Sequence, residues 1–396
     1  MSREQSRIRV LSVIGSMHGG GAERQLFEIL HRLNRDRFEL ELYLSHREGE
    51  LLDKLPTDNP IHSFWDGYAG TIRSKWDHLL GRTNQSRIGH LAQTIHRRKI
   101  DLVYDHCYLA TLDAAQATFK SKVARVSVAV IDPQSEVHFY SGGHPAHELQ
   151  KASRAYATAD AVIAVSDGVK RGLIADLAVP PEKIEVIFNM IDVEKALELS
   201  LAPGPDFEVE HFHIVTVGRL VEQKGIDLAL AGLNILVNQR GLKNLRWHFV
   251  GDGPLKKDLH QRAVSLGLEQ YTSWHGYQSN PYPFYRAANL FVLPSRYEGF
   301  GCVLIEALAC GIRVVATDCP SGPSEILEDG QYGTLIPVES PLDIADAVQK
   351  AATRARSPEI EATSLRAYVR SRFSYEAGIP RIEQLFERVI ASRRCI

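Results

Sequence analysis

An α/β protein of two doubly wound parallel sheets is the fold class this sequence predicts, and three observations predict it. Short apolar runs rich in β-branched residues alternate with longer stretches of helical periodicity, the pattern of parallel βαβ units covered on both faces. The rhythm breaks at the Pro/Gly/acidic stretch "LAPGPDFEVE" (201–210), which has little to bury, and then restarts. Glycine-rich or charged loops follow several strands, at the carboxyl ends where open α/β sheets bind ligands.

The elements follow in order. "RIRVLSVIG" (7–15) reads as a buried strand that leads through a glycine-rich turn into a helix from about Ala22. "FELELYL" (38–44), "DLVYDH" (101–106), "ARVSVAV" (124–130), "DAVIAVS" (160–166) and "IEVIFN" (184–189) read as further strands of the first half. After the break come "HFHIVTVG" (211–218), "LRWHFVG" (245–251), "YTSWHG" (271–276), "NLFVLP" (289–294) and "IRVVAT" (312–317). These give a first domain over 1–200 and a second over 201–373, both Rossmann-like, with a closing helix over about 374–396 expected to pack back on the first.

Composition narrows the class. At roughly 100–200 residues per domain, 396 residues fill two or three domains. A 44% hydrophobic and 24% charged content is that of a globular chain able to bury sizeable cores. A net charge of −2 gives no global attraction to nucleic acid, so no nucleic-acid partner is expected. The five cysteines, Cys107, Cys302, Cys310, Cys319 and Cys395, are odd in number and widely spaced, which argues for a reducing compartment. The start, MSREQSRIRV, lacks the apolar stretch of a signal peptide, and no window suits a transmembrane helix. A cytoplasmic protein is expected, with surface contact to a membrane as its closest approach to one.

Three motifs carry chemistry. "IGSMHGGGAERQL" (14–26) places consecutive glycines before a helix, where backbone N–H groups and the helix N-terminus favour a phosphate; a plain tight turn explains it equally well. Its spacing is neither G-x-G-x-x-G nor a P-loop, so nicotinamide and ATP-hydrolysing readings lose their main support. "TVGRLVEQKGIDLAL" (216–230) brackets a post-strand loop with Arg219 and Lys224 ahead of a helix N-terminus, the unfavourable end of the dipole for cations unless an anion sits there. Two solvated surface cations are the competing reading. "LPSRYEGFGCVLIEALACG" (293–311) runs from strand to loop to a largely apolar helix. Gly299 and Gly301 free the N–H groups of Phe300, Gly301 and Cys302 to face a ligand. Glu306 lies within the helix and needs partners, and a vicinal diol such as a ribose supplies two hydroxyl donors to one carboxylate. Glu298 could do the same for a hexose, whereas a salt bridge to a neighbouring cation is the plain reading of Glu306.

As an ensemble these pieces resemble the retaining glycosyltransferases of family 4, which have the GT-B fold of two Rossmann-like domains facing a central cleft. The resemblance covers nearly the whole chain through the glycine loop at 19–21, "DAVIAVSDGVK" (160–170), "VIFNMID" (186–192), "GRLVEQKG" (218–225), "VGDGP" (250–254), "HGY" (275–277) and "PSRYEGFGCVLIEALACG" (294–311). "TDCPSGPSEIL" (317–327) resembles a subset that builds bacterial surface glycans, often from UDP-N-acetylhexosamines.

The resemblance implies roles for matching positions. Arg219 and Lys224 would hold the donor diphosphate and stabilise charge on the leaving group. Glu298 would bind hydroxyls of the donor sugar, Glu306 the ribose, and the backbone of Phe300, Gly301, Cys302 and Val303 sugar and phosphate. Gly20 and Gly21 would approach the diphosphate, and Tyr277 lies where backbone groups meet the base. Family members often carry a cleft histidine after the fourth or fifth strand. His106 holds the fourth-strand position, with Asp105 beside it as a competitor, and the fifth strand has none nearer than His138. Departure of the nucleotide and attack by the acceptor on one face of the sugar imply no obligatory protein nucleophile.

No H-x3-H, HExxH, CxxC or D-x-D cluster occurs, so a site without metal or other cofactor is expected, a UDP-sugar serving as co-substrate. "GTIRSKWDHLLGRTNQSRIGHLAQTIHRRK" (70–99) sets Ile72, Trp76, Leu79, Leu80, Ile88, Leu91 and Ile95 at roughly helical spacing among basic residues. A helix packed on the sheet is the commoner meaning; peripheral contact with the inner membrane, presenting a polyprenyl-linked glycan acceptor, is the other. The expected function is transfer of a hexose or N-acetylhexosamine from a UDP-sugar to such an acceptor in surface polysaccharide, lipopolysaccharide or glycoprotein glycan assembly. Competing readings are transfer to a small soluble acceptor, sugar-nucleotide binding without turnover, and sugar-nucleotide epimerisation, the last disfavoured by the E-G-F-G context.

Overall fold

A computed structural model describes residues 7–69, 71, 79, 82–119, 121, 123–140, 144–353 and 359–394. The expectations at Ile72, Trp76, Leu80 and Cys395 lie outside these residues. The chain divides into two compact units, Met1–Asn189 with Gly378–Ile396, and Met190–Ala377. The Pro/Gly stretch 201–210 therefore lies inside the second unit. The preceding helix, Val193–Ser200, already packs on the helices Tyr282–Ala287 and Cys302–Ala309 of that unit, and Asn280 Nδ2 donates to Leu199 O at 2.9 Å.

The first unit holds β1 (Ile8–Ile14), β2 (Phe38–Leu44), β3 (Ile61–Ser63), β4 (Leu102–His106), β5 (Ala124–Ala129), β6 (Ala161–Ala164) and β7 (Ile184–Val186). They stand in the order β3-β2-β1-β4-β5-β6-β7, every pairing parallel. The order reverses between β1 and β4, which places the glycine loop after β1 beside the loop after β4. Leu11 and Val13 of β1, two residues apart and so on one face, join Tyr43, Val103, Leu91 and Ile95 in one core cluster.

The last two belong to the helix Thr83–Arg98, so that helix packs Leu91 and Ile95 on the sheet, whereas Leu79 ahead of it is 75% exposed. Two of its basic residues are also committed: Arg87 forks onto Asp113 at 2.6 and 2.9 Å, and Arg98 reaches the fully buried Glu41. The closing helix Tyr375–Arg394 buries Ile382, Leu385 and Phe386. Phe386 meets Phe38 and Tyr104 edge-on, and Arg37 pairs with Glu383 at 2.6 Å.

The second unit holds β8 (Phe212–Val217), β9 (Leu245–Val250), β10 (Thr272–Trp274), β11 (Leu290–Leu293), β12 (Arg313–Thr317) and β13 (Thr334–Ile336). Its order is β10-β9-β8-β11-β12-β13, again all parallel. The reversal falls between β8 and β11. Two edge strands, β3 and β13, are additions to the expected set.

Candidate active site

In the second unit, the loops after β8 and β11 leave neighbouring strands at the point where the order reverses, the position at which open sheets bind ligands. The β8 loop carries Arg219 and Lys224; the β11 loop carries Glu298 and leads into the helix Cys302–Ala309. Gly225 brings them together. Its φ is +60°, and a Cβ there would stand 2.0 Å from the Pro294 carbonyl oxygen, so only glycine lets the two backbones approach this closely.

Polar bonds then stitch the loops. Arg296 N–H donates to Gln223 O at 2.8 Å, and Gln223 Nε2 donates to Tyr297 O at 3.0 Å. The Arg296 guanidinium forks onto both oxygens of Asp227 at 2.8 Å and also reaches Glu339. The Arg296 hydrogen bond holds the Asp227 carboxyl below the usual carboxylate range.

The central contact is an ion pair: Lys224 Nζ donates to Glu298 Oε1 at 2.6 Å, and Ser295 Oγ donates to the same oxygen at 2.6 Å. The two side chains are only 15% and 6% exposed, so Lys224 is no solvated surface cation. Ser295 is fixed in turn, its carbonyl accepting from Thr317 Oγ1. The sequence assigns Lys224 to a diphosphate and Glu298 to a sugar. The structure joins them, so an arriving phosphate would compete for an ammonium that already has an acceptor. Arg219 is exposed, and among the described residues its guanidinium holds no ion pair.

Gly301 caps the following helix at φ +95°. The Phe300 ring is buried against Phe373 at 5.6 Å, which leaves Phe300 its backbone for a ligand. Cys302 and Val303 are half-buried, while Leu304, Ile305, Ala307, Leu308 and Ala309 form the helix's buried side. Glu306 is half-buried, and its Oε2 accepts from the fully buried Tyr285 hydroxyl at 2.9 Å. Tyr277 is 53% exposed after β10. Tyr285 also lines a cavity of about 590 Å³ with Arg286, Arg313 and Arg366. That cavity opens at the amino ends of β11 and β12, away from the loops that carry the sequence motifs.

The first unit holds the remaining sequence candidates. Gly20 caps the helix Gly21–Arg32, and a Cβ at Gly21 would meet nothing within 4 Å. His106 ends β4 at 2% exposure, its Nε2 without a partner among the described residues. Burial pushes its pKa down to about 3. Cys107 beside it takes a left-handed φ of +71°. Asp105 is fully buried and accepts from Ser127 Oγ at 3.0 Å, with Arg125 3.6 Å away. His138 lies in the helix Pro133–Tyr140. His106 thus stays neutral from pH 5 to 8, and the pH profile of kcat/KM over that range is expected to show no inflection from it. A His106→Gln variant that changes the shape of the profile would contradict this.

Sequence reasoning missed the Arg296–Asp227 clamp and the Tyr285–Glu306 bond, whose partners lie 69 and 21 residues apart with no local signal.

Residues 19–195 match the family described as Glycosyltransferase Family 4, and residues 211–354 match the one described as Glycosyl transferases group 1. The chain is a glycosyltransferase. Among the relatives of this glycosyltransferase is the N-acetylgalactosamine-N,N'-diacetylbacillosaminyl-diphospho-undecaprenol 4-alpha-N-acetylgalactosaminyltransferase of Campylobacter jejuni, 34% identical over 47% of this chain and 48% of that protein. The lipopolysaccharide 1,6-galactosyltransferase of Escherichia coli is 27% identical over 65% of this chain and 66% of that protein. The chain thus spans about half the length of the first relative and just under two thirds of the second. Anabaena HepE, solved in complex with UDP and glucose, matches 96% of this chain and all of its own at a TM-score of 0.78 and 23% identity. The fold of this glycosyltransferase is GT-B.

Proposed function

We propose that this chain is a retaining, metal-independent hexosyltransferase that moves a hexose or N-acetylhexosamine from a UDP-sugar to a glycan acceptor carried on polyprenyl diphosphate. Its place is the assembly of bacterial surface polysaccharide or glycoprotein glycans. The observation that carries the reading is the buried Lys224–Glu298 pair on two stitched loops at the reversal point of the second sheet. The names of the C. jejuni and E. coli relatives, and the UDP and glucose bound to HepE, support the donor and acceptor classes.

In this reading the second unit holds the donor and the first the acceptor. Arg219 forks onto the diphosphate, and Lys224 shares its ammonium between Glu298 and the departing phosphate as negative charge develops there. Glu298 takes sugar hydroxyls with its second oxygen, and Glu306 the ribose. The backbone from Phe300 to Val303 and the Tyr277 loop complete the cradle within the second unit. The bond from the anomeric carbon to phosphate breaks, and the acceptor hydroxyl bonds to that carbon on the same face, its proton passing to the leaving phosphate. His106, neutral and buried, orients rather than titrates.

The chain works in the cytoplasm. Among the described residues no helix is long and apolar enough to cross a membrane, and the exposed basic end His96, Arg97, Lys99 supports peripheral contact with anionic lipid.

The test is nucleotide release from UDP-, GDP- and ADP-sugars, with and without bacterial lipid extract. Release from one UDP-sugar only with lipid is expected. Release without lipid would replace the acceptor by a soluble one, and binding without any release would replace the enzyme by a binding protein.

A further inference from the structure

Three histidines of the second unit form a hydrogen-bonded chain that the donor reading does not use. His213 lies on β8, His248 on β9, and His275 just past β10. His213 Nε2 meets Glu208 O at 2.7 Å, His213 Nδ1 meets His248 Nε2 at 2.9 Å, and His248 Nδ1 meets His275 Nε2 at 3.0 Å. His213 and His248 are 5% exposed, and Phe207 stacks on both rings at 4.5 and 4.0 Å.

The chain has one direction. Burial lowers the pKa of all three rings, so each carries a single proton at neutral pH. The Glu208 carbonyl can only accept, so His213 holds its proton on Nε2 and leaves Nδ1 bare. His248 must then donate from Nε2, which leaves its Nδ1 to accept from His275 Nε2. One carbonyl thus fixes the tautomer of three rings. It ties residues 201–210 to the loop after β10.

That loop reaches toward the donor motifs. Gly276 O accepts from Gly251 N–H at 2.8 Å, and Gln278 Nε2 donates to His275 O at 2.8 Å. A Cβ on Gly251 would lie 1.9 Å from Gly218 O, so Gly251 packs directly on the residue before Arg219.

We propose that this one-way histidine chain positions the loop of His275, Gly276 and Tyr277 as the seat of the donor's base, making His248 and His275 positioning residues for nucleotide recognition. The inference rests on the reading of the chain as a nucleotide-sugar transferase.

The test uses the full chain, ring-nitrogen NMR and nucleotide titration. In the wild type all three rings are expected as Nε2–H tautomers. His248→Phe keeps a ring for Phe207 to stack on and removes two hydrogen bonds. The dissociation constant for UDP is expected to rise about tenfold. Turnover at saturating donor stays unchanged, the preference for UDP over GDP shrinks, and His275 becomes a mixture of tautomers. A general loosening of the unit would not change base preference alone. His275→Phe, at a half-exposed position, removes one bond and is expected to act in the same direction should His248→Phe fail to fold. An Nδ1–H tautomer at His248 in the wild type overturns the chain's direction. Unchanged UDP affinity and preference in a folded variant overturns the positioning role while leaving the functional reading intact. Failure of the wild type to bind any nucleotide overturns that reading and the inference with it.

Discussion

Lys224→Ala lowers turnover about a hundred- to a thousandfold, the effect of losing one preorganised donor to a developing anion. The site geometry also sets a trap for this experiment. Lys224 is the cation paired with Glu298 at 2.6 Å, and Glu298 is 5% exposed. Removing one partner of a buried pair costs about 3 kcal/mol or more, because the other charge is left behind. A loss of activity could then be a loss of fold. Glu298→Gln separates the two, since glutamine still accepts from Ser295 Oγ and needs no cation. The double variant Lys224→Met with Glu298→Gln is expected to recover most of the wild-type melting temperature and none of the turnover. Recovery of both would make Lys224 a structural partner of Glu298 and nothing more.

Glu306→Ala acts on binding. A carboxylate that accepts two ribose hydroxyls contributes through charged hydrogen bonds of about 1.5–3 kcal/mol each. The UDP dissociation constant is expected to rise about a hundredfold or more, with turnover at saturating donor little changed because the ribose is remote from the reacting carbon. The buried Tyr285 hydroxyl loses its acceptor in this variant, at a cost of about 1–3 kcal/mol in stability. Glu306→Gln keeps an acceptor for Tyr285 and falls between wild type and alanine in UDP affinity. Calorimetry on the three proteins checks the order. Equal and negligible effects at Lys224 and Glu306 would sink the site assignment.

Much of this architecture is written locally in the chain. The long strands of both sheets are legible because a buried parallel strand such as "RIRVLSVIG" is a continuous apolar run bounded by turn residues. Two of the four edge strands are not: β3 and β13 contribute "IHS" and "TLI", and their place depends on neighbours far away in sequence. The site shows the same divide. Glycines after strands, and cations and carboxylates ahead of helices, mark Lys224 and Glu298 individually. Their mutual bond spans 74 residues and depends on Gly225 fitting against Pro294, which no local pattern contains. His106 is legible as a strand-end histidine, but its burial is a property of the packed sheet. "HFHIVTVG" is legible as a strand, yet the partners of His213 are chosen by the register of β8 on β9.

The central claim is that the loops after β8 and β11 hold a uridine diphosphate without a metal. Titration of UDP into the purified chain, with and without EDTA, tests it most directly. One UDP per chain is expected, with a dissociation constant in the range of about 1 µM to 1 mM typical of enzyme substrates, unchanged by EDTA and weakened by Glu306→Ala. A folded chain that binds no UDP, or binds it only with a divalent cation present, would contradict the account.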